Sequence, residues 1–313
     1  MGVATIAKPK TTLRERFSLF RQEIWRMRTA YLFLLPMFIL LATFQYWPFI
    51  LAIARSFYIW DGHALSKFIW FDNYVDILSD PIFWKSMRVV AISTVFNLTL
   101  PLAGPIISAE LLFNLHNQRA RYFWRVVMII PSVVPGMVGT LLWGYIYNPQ
   151  NGFLNLMLKS VGMQPQTWLA DPKLALPSLL FVGFPWVGGT WMLVYLAGLL
   201  NISRDIVDAS VVDGCSVWRR IWSIDLPLLL GQIKLSVILT CMGTLQGFVG
   251  TLVLTGGGPF YATIVPGIYL YNQAFGRSRL GYASAVGVIM SILILGLTII
   301  NNRYVKSSVE YDA

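Results

Sequence analysis

Residues 201–231 read NISRDIVDASVVDGCSVWRRIWSIDLPLLLG. Ser203 offers an N-cap, and Asp205 places a negative charge in the first turn, where it complements the helix dipole. Ile206, Ala209, Ser210 and Val212 recur at helical spacing, and Asp213-Gly214 is a turn signal. A second short helix starts after a Ser216 cap and carries Val217, Ile221 and Trp222, until Leu226-Pro227 breaks it. The segment reads as a helix-turn-helix. Its small residues, Ala209, Ser210, Gly214 and Cys215, let another backbone or groove approach closely. It is either a connector resting on a surface or a knob that docks into a partner.

The flanks of this stretch are apolar. Over all 313 residues, 56% are hydrophobic and only 12% charged, against about 25% charged in an average soluble domain. That excludes a disordered chain and argues against an ordinary soluble enzyme. Apolar runs near spanning length occur at about 31–53, 89–114, 124–147, 174–200, 235–255 and 282–301. The expected fold is an all-α, polytopic membrane protein with six transmembrane helices. Residues 1–29 form a tail, 30–85 the first span and a long outer loop, 86–302 a core of five spans, and 303–313 a second tail. Residues 1–30 are polar and basic, so no secretory signal peptide is expected. No internal repeat of the secondary-transporter kind is evident.

The net charge of +10 sorts by loop. Lys8, Lys10, Arg14, Arg16, Arg21, Arg26 and Arg28 lie in the first tail; Arg119, Arg121 and Arg125 follow the second run. Arg204, Arg219 and Arg220 follow the fourth, and Arg303 and Lys306 follow the sixth. The opposite loops hold fewer: Lys67, Lys85, Lys159, Lys173, Arg277 and Arg279. This excess predicts both termini and the 201–231 segment in the cytoplasm of a cell-membrane protein. The charge is then a topological label, and nucleic-acid binding is not expected. In the outer loop, Trp60, Trp70, Phe71 and Trp84 suit a membrane interface or a partner.

Several chemistries lack their residues. Ion-coupled carriers place acids or bases at the bilayer midplane, and here the one acid within a run is Glu110, near its cytoplasmic end, where Arg119 is a candidate partner. No glycine precedes a lysine, so no phosphate loop exists in this chain. Neither Gly-x-Ser-x-Gly nor His-Glu-x-x-His occurs. Cys215 and Cys241 read as free thiols, and no metal site is expected. The fifth run carries Thr240, Gly243, Thr244, Gly247 and Thr251 at three- or four-residue spacing, with Gln246 beside them. Such a stripe either packs helices or lines a cavity. Asn97, Ser132 and Trp186 are further candidates for a polar path.

The segment DASVVDGCSVWRRIWSIDLP resembles the EAA loop of binding-protein-dependent ABC importer permeases. Asp208, Ala209 and Ser210 occupy its first triplet; Asp213, Gly214 and Cys215 the second; Ile224, Leu226 and Pro227 close it at the family spacing. Asp208 replaces Glu, and Ser210 and Cys215 each replace Ala. WFDNYVDILSDPIFWKSM around Asn73-Tyr74, NGFLN at 151–155, LTGGGPFYAT at 254–263 and LGYASA at 280–285 resemble the sugar-permease branch, related to the maltose and glycerol-3-phosphate importers. The resemblance implies the type I ABC importer permease fold. It implies a second, similar permease subunit, an ABC ATPase dimer that receives the loop, and an extracytoplasmic solute-binding protein delivering a sugar-like substrate. Asn73, Tyr74, Gly257 and Pro259 would lie toward that binding protein, although Gly256-Gly257-Gly258-Pro259 also suffices to stop a helix. This chain would bind no cofactor, ATP and magnesium residing on the ATPase. A polyol, a phosphodiester or an acidic oligosaccharide as substrate, an ion-coupled carrier and an intramembrane enzyme are the rival readings.

Overall fold

The computed structural model describes residues 25–63 and 65–304. The chain divides at residues 54/55 into two units. The first is dominated by helix α1 (Arg28–Arg55), apolar and with none of its spanning window buried. A helix that is hydrophobic all round is at home in lipid or a core. The basic residues Lys8 to Arg21 and Lys306 lie outside the described residues.

In the second unit, strands β1 (Tyr58–Trp60) and β2 (Leu65–Phe68) form a two-stranded antiparallel hairpin. The all-α expectation therefore needs one correction: the aromatic outer loop pairs as a ribbon. Tyr58, Ile59 and Trp60 are β-branched or aromatic, and such residues favour a pleated surface. Helix α2 (Asp72–Ser79) follows. Asp80 then caps α3 (Pro81–Asn97), accepting from the Ile82 N–H at 2.7 Å, with proline at the first helical position. After a break at Leu98-Thr99, α4 (Leu100–Phe113) completes a 33-residue helix, Pro81–Phe113.

Asn117 caps α5 (Gln118–Val133), accepting from the N–H groups of Arg119 and Ala120. Pro135 begins α6 (Gly136–Ile146) at 88° to α5. Shorter helices α7 (Phe153–Ser160) and α8 (Ala175–Leu180) precede α9 (Gly189–Leu200). Next come α10 (Arg204–Val212) and α11 (Val217–Leu228), the latter bent by 70° from α12 (Leu230–Gln246). Helices α13 (Val249–Leu254), α14 (Pro266–Tyr271) and α15 (Leu280–Tyr304) complete the described chain.

Among the described residues, three helices are long and apolar enough to cross a membrane, and up to five if each bent pair is one span. The six expected spans are thus only partly matched. The physical cause is local. Pro131 and Pro135 interrupt the third run, and Trp186 and Gly188, both at positive φ, turn the chain within the fourth. In the fifth run, Gly247 leaves the helix in extended conformation.

The core lies in two main clusters. Near the Phe113 end, Ala109 and Leu112 of α4 pack on Met192, Tyr195, Leu196 and Leu199 of α9 and on Leu229 at the α11–α12 elbow. Near the Pro81 end, Ile77, Phe83 and Val89 pack with Ile264, Val265, Ile268, Tyr269, Tyr282 and Val286. There the Tyr269 hydroxyl donates to Asp80 Oδ2 at 2.6 Å and shares a hydrogen bond with Tyr282. Burial, and then the bond to Asp80, push the Tyr269 hydroxyl above its ordinary pKa, which keeps it a donor.

Candidate coupling site and transport path

The 201–231 segment folds as the helix-turn-helix its sequence implies. Gly214 sits at φ +69°, the Cys215 N–H donates to Ser210 O at 2.9 Å and the Gly214 N–H to Val211 O at 3.0 Å. These two bonds form a Schellman close of α10. Among the described residues no atom lies within 4 Å of a Cβ added to Gly214, so glycine is favoured there by backbone conformation and not by crowding. Ser203 stands at the N-cap with no side-chain bond, whereas Ser216 accepts from the Arg219 N–H at 3.3 Å.

Asp208, Ala209, Asp213 and Gly214 are exposed; Cys215, Ile224, Leu226 and Pro227 are half-buried, and Ser210 is buried, bonded to Val207 O. Among the described residues, Asp208 and Asp213 have no ion-pair partner. Around them, Val211, Val212, Val217, Trp218 and Trp222 are all exposed, Val212 by 87% and Trp218 by 76%. The helical spacing of Val212 therefore marks an outward face. Exposed apolar residues gathered on one short helix-turn-helix in this way suit an interaction surface.

The opposite side of the segment is fixed by a buried charge cluster. Arg220 Nε donates to Asp225 Oδ2 at 3.0 Å, and the Asp225 side chain is fully buried. The same guanidinium donates to Asn114 Oδ1 and lies over the Phe113 ring, 5.4 Å from its centroid. The Asn114 amide donates to the Glu110 backbone oxygen and carboxylate. Thus α11 is tied to the end of α4, more than a hundred residues earlier in the chain. Residues 221–225 form a π turn, whose i→i+5 bonding brings Arg220 and Asp225 to one side. Glu110 is 6% exposed and joins this cluster through Asn114; no ion pair with Arg119 forms among the described residues.

A polar cavity of about 420 Å³ lies between α3, α8 and α12. Of the expected path residues, Asn97, Thr240, Thr244 and Gly247 line it, together with Ser93, Thr251 and Thr263. The Asn97 amide donates to Thr244 Oγ1 at 3.0 Å, and the Thr244 hydroxyl donates to Thr240 O. Ser132, Trp186 and Gln246 do not line it. Ser132 donates to Ile129 O and sits against Gly189, while Trp186 packs among Phe96, Phe181 and Phe184. Gln246 is exposed at the end of α12.

Of the residues expected to face a binding protein, Asn73 is buried and donates to Ser56 O at 2.8 Å and Tyr58 O at 3.2 Å. Tyr74 shares a hydrogen bond with Ser56. Gly257 is buried at φ +88°, and Pro259 lines two surface cavities. Asn155 clamps its own loop, accepting from the Gln166 N–H and the Trp168 indole and donating to Pro149 and Gln166 carbonyls.

A bundle of apolar helices around a polar cavity, with an amphiphilic helix-turn-helix locked to one end, defines a membrane transport subunit. The chain belongs to the binding-protein-dependent transport system inner membrane component family, whose sequence profile matches residues 102–309. It is 30% identical over 283 residues, 90% of this chain and 97% of the relative, to the probable ABC transporter permease protein YurN of Bacillus subtilis. It is 31% identical over 290 residues, 90% and 96% of the two chains, to the sn-glycerol-3-phosphate transport system permease protein UgpA of Brucella abortus. The fold matches a chain of a bacterial alginate ABC transporter, solved in complex with an alginate pentasaccharide-bound periplasmic protein. That match has a TM-score of 0.82 at 22% identity and covers 92% of this chain and 99% of the other.

Proposed function

We propose that this chain is one of two transmembrane subunits of an ATP-driven importer for a sugar or sugar derivative. Its 201–231 loop docks on a separate ATPase. The observation that carries the reading is the two-sided loop: exposed apolar residues and free carboxylates outward, and a buried Arg220–Asp225–Asn114 lock inward. A docking surface rigidly tied to a spanning helix is what force transmission between two subunits requires. UgpA supports a small hydroxylated substrate, and the alginate transporter supports delivery by a periplasmic binding protein.

In this reading the loop and both termini are cytoplasmic, and ATP and magnesium sit on the ATPase dimer. Asp208 and Asp213 meet the ATPase through polar contacts, while Ala209, Gly214 and Cys215 keep the contact surface low. Closure of the ATPase dimer moves α10 and α11, and the elbow at Leu229 carries that motion into α12. The cavity walls at Asn97, Thr240, Thr244 and Gly247 then alternate between faces. Pro259 lies on the outer surface offered to the binding protein, and Asn73, Tyr74 and Gly257 hold that surface in shape. Each nucleotide state acts by favouring one bundle conformation.

An ion-coupled carrier fits less well, because among the described residues no titratable side chain lines the polar cavity. Co-expression with a similar permease and an ABC ATPase is expected to yield a complex that takes up substrate only with ATP. Uptake by this chain alone on an ion gradient would overturn the reading. Gly214 gives a local test. Valine at φ +69° costs about 1–2 kcal/mol of backbone strain, whereas asparagine tolerates that conformation. Gly214→Val is expected to insert normally but lose ATPase association by pull-down, and Gly214→Asn to retain it.

A further inference from the structure

The polar cavity adjoins a larger one toward the Pro81 end of α3, with Val89 and Leu176 lining both. This second cavity holds about 680 Å³. Lys85, Arg88 and Lys173 line it, and among the described residues no carboxylate does. Along α3, Lys85, Val89, Ser93 and Asn97 follow at four-residue spacing, so they share one face. That face runs from cations at the mouth to a hydroxyl and an amide further in. The charge distribution makes the cluster informative. The loops opposite the coupling loop are poor in Lys and Arg by sequence, yet two of their cations, Lys85 and Lys173, converge with Arg88 of α3 on one cavity.

The cavity is also built from separate chain segments. Lys85 Nζ donates to Phe260 O at 2.7 Å, which ties the 255–263 loop to α3. Trp84 is held by its indole N–H bond to Leu78 O, and with Phe260, 82% exposed, it flanks the cations. An aromatic face beside a cation matches a ring whose C–H face stacks while an acidic substituent is paired.

We propose that this cavity is a selectivity mouth for an anionic sugar derivative, one bearing a carboxylate or a phosphate. The proposal rests on the importer reading and adds the charge of the cargo. Lys85, Arg88 and Lys173 attract and orient the anion, and the uncharged cavity beyond binds its hydroxyl groups without trapping its charge.

The test uses the complete complex, this chain with its second permease and ATPase, held outward-open with ATP and vanadate. Equilibrium dialysis is run with radiolabelled sn-glycerol-3-phosphate and D-galacturonate against glycerol and D-galactose. Retention of at least one anion should exceed that of its neutral partner by tenfold or more, and should fall with rising salt. The triple variant Lys85→Gln, Arg88→Gln, Lys173→Gln should lose that preference while the complex and its basal ATPase activity persist. Equal retention of charged and neutral probes, no retention of either anion, or a preference unchanged in the triple variant would each overturn the proposal. So would a variant whose only change is loss of co-purified phosphatidylglycerol, which would assign the cations to lipid headgroups. Complex assembly and ATP hydrolysis are read in the same samples, so failure of the importer reading shows separately.

Discussion

Replacing Arg220 with alanine is expected to destabilise the folded subunit by about 3–5 kcal/mol and to abolish coupled uptake. The magnitude follows from what is left behind. Asp225 is fully buried, and among the described residues its Oδ1 has no hydrogen-bond partner even with Arg220 present. Deleting the guanidinium strands that carboxylate and also frees Asn114 Oδ1. Breaking a buried pair from one side costs several kcal/mol because a charge remains uncompensated, whereas replacing both members by apolar residues is often nearly neutral. The double variant Arg220→Met, Asp225→Leu should therefore recover most of the melting temperature of the detergent-solubilised subunit. It should not recover transport, because the tie to Asn114 on α4 is gone. ATPase activity in the assembled complex should persist at its basal level with uptake reduced tenfold or more. A double variant that restores both stability and uptake would show that the tie carries no force.

Gly281→Ala should be the most damaging glycine substitution in the last span. A Cβ there would stand 2.1 Å from Tyr58 O, 3.2 Å from Arg55 O and 3.2 Å from Trp60 N. All three are backbone atoms, so none can rotate away. The hairpin cannot easily retreat, because Asn73 holds Ser56 O and Tyr58 O, and Ser56 is fully buried. Overpacking of this kind costs about 1–3 kcal/mol, occasionally more, and here the upper end applies. Membrane levels and melting temperature should both fall. Gly296→Ala, in the same helix with no described atom within 4 Å of an added Cβ, should leave both unchanged or raised. Equal effects at the two positions would contradict the packing account.

The two variants also mark what the sequence could and could not reveal. Asp213-Gly214 and Leu226-Pro227 are local signals, and the turn and the break they imply are present because φ preference and proline geometry act over a few residues. The stripe Thr240, Thr244 and Gly247 was legible as a polar face for the same reason, and Asn97 joins it across the cavity. The Arg220–Asp225 pair was hidden by the helical period. Five residues do not share a side of an ordinary helix, and only the π turn at 221–225 brings them together. Asn114 lies too far along the chain for any local pattern to connect it. The span count is only partly matched where apolar composition continues through a bend, as at Pro135 within the third run, since hydropathy does not sense direction. Lys85, Arg88 and Lys173 could be counted from sequence, but only the packing of three segments shows that they face one cavity.

The central expectation for this molecule is that the 201–231 loop is the surface that meets an ATPase. Cys215 offers a direct probe, since it is a free, half-buried thiol in the Schellman close itself. In a Cys241→Ser background, inside-out membrane vesicles carrying this chain and its second permease are treated with a membrane-impermeant maleimide, with and without the ATPase dimer bound. The account predicts ready labelling of Cys215 in the bare membrane complex and at least tenfold slower labelling once the ATPase is bound. Labelling at the same rate in both preparations, with the ATPase shown to be attached, would contradict it.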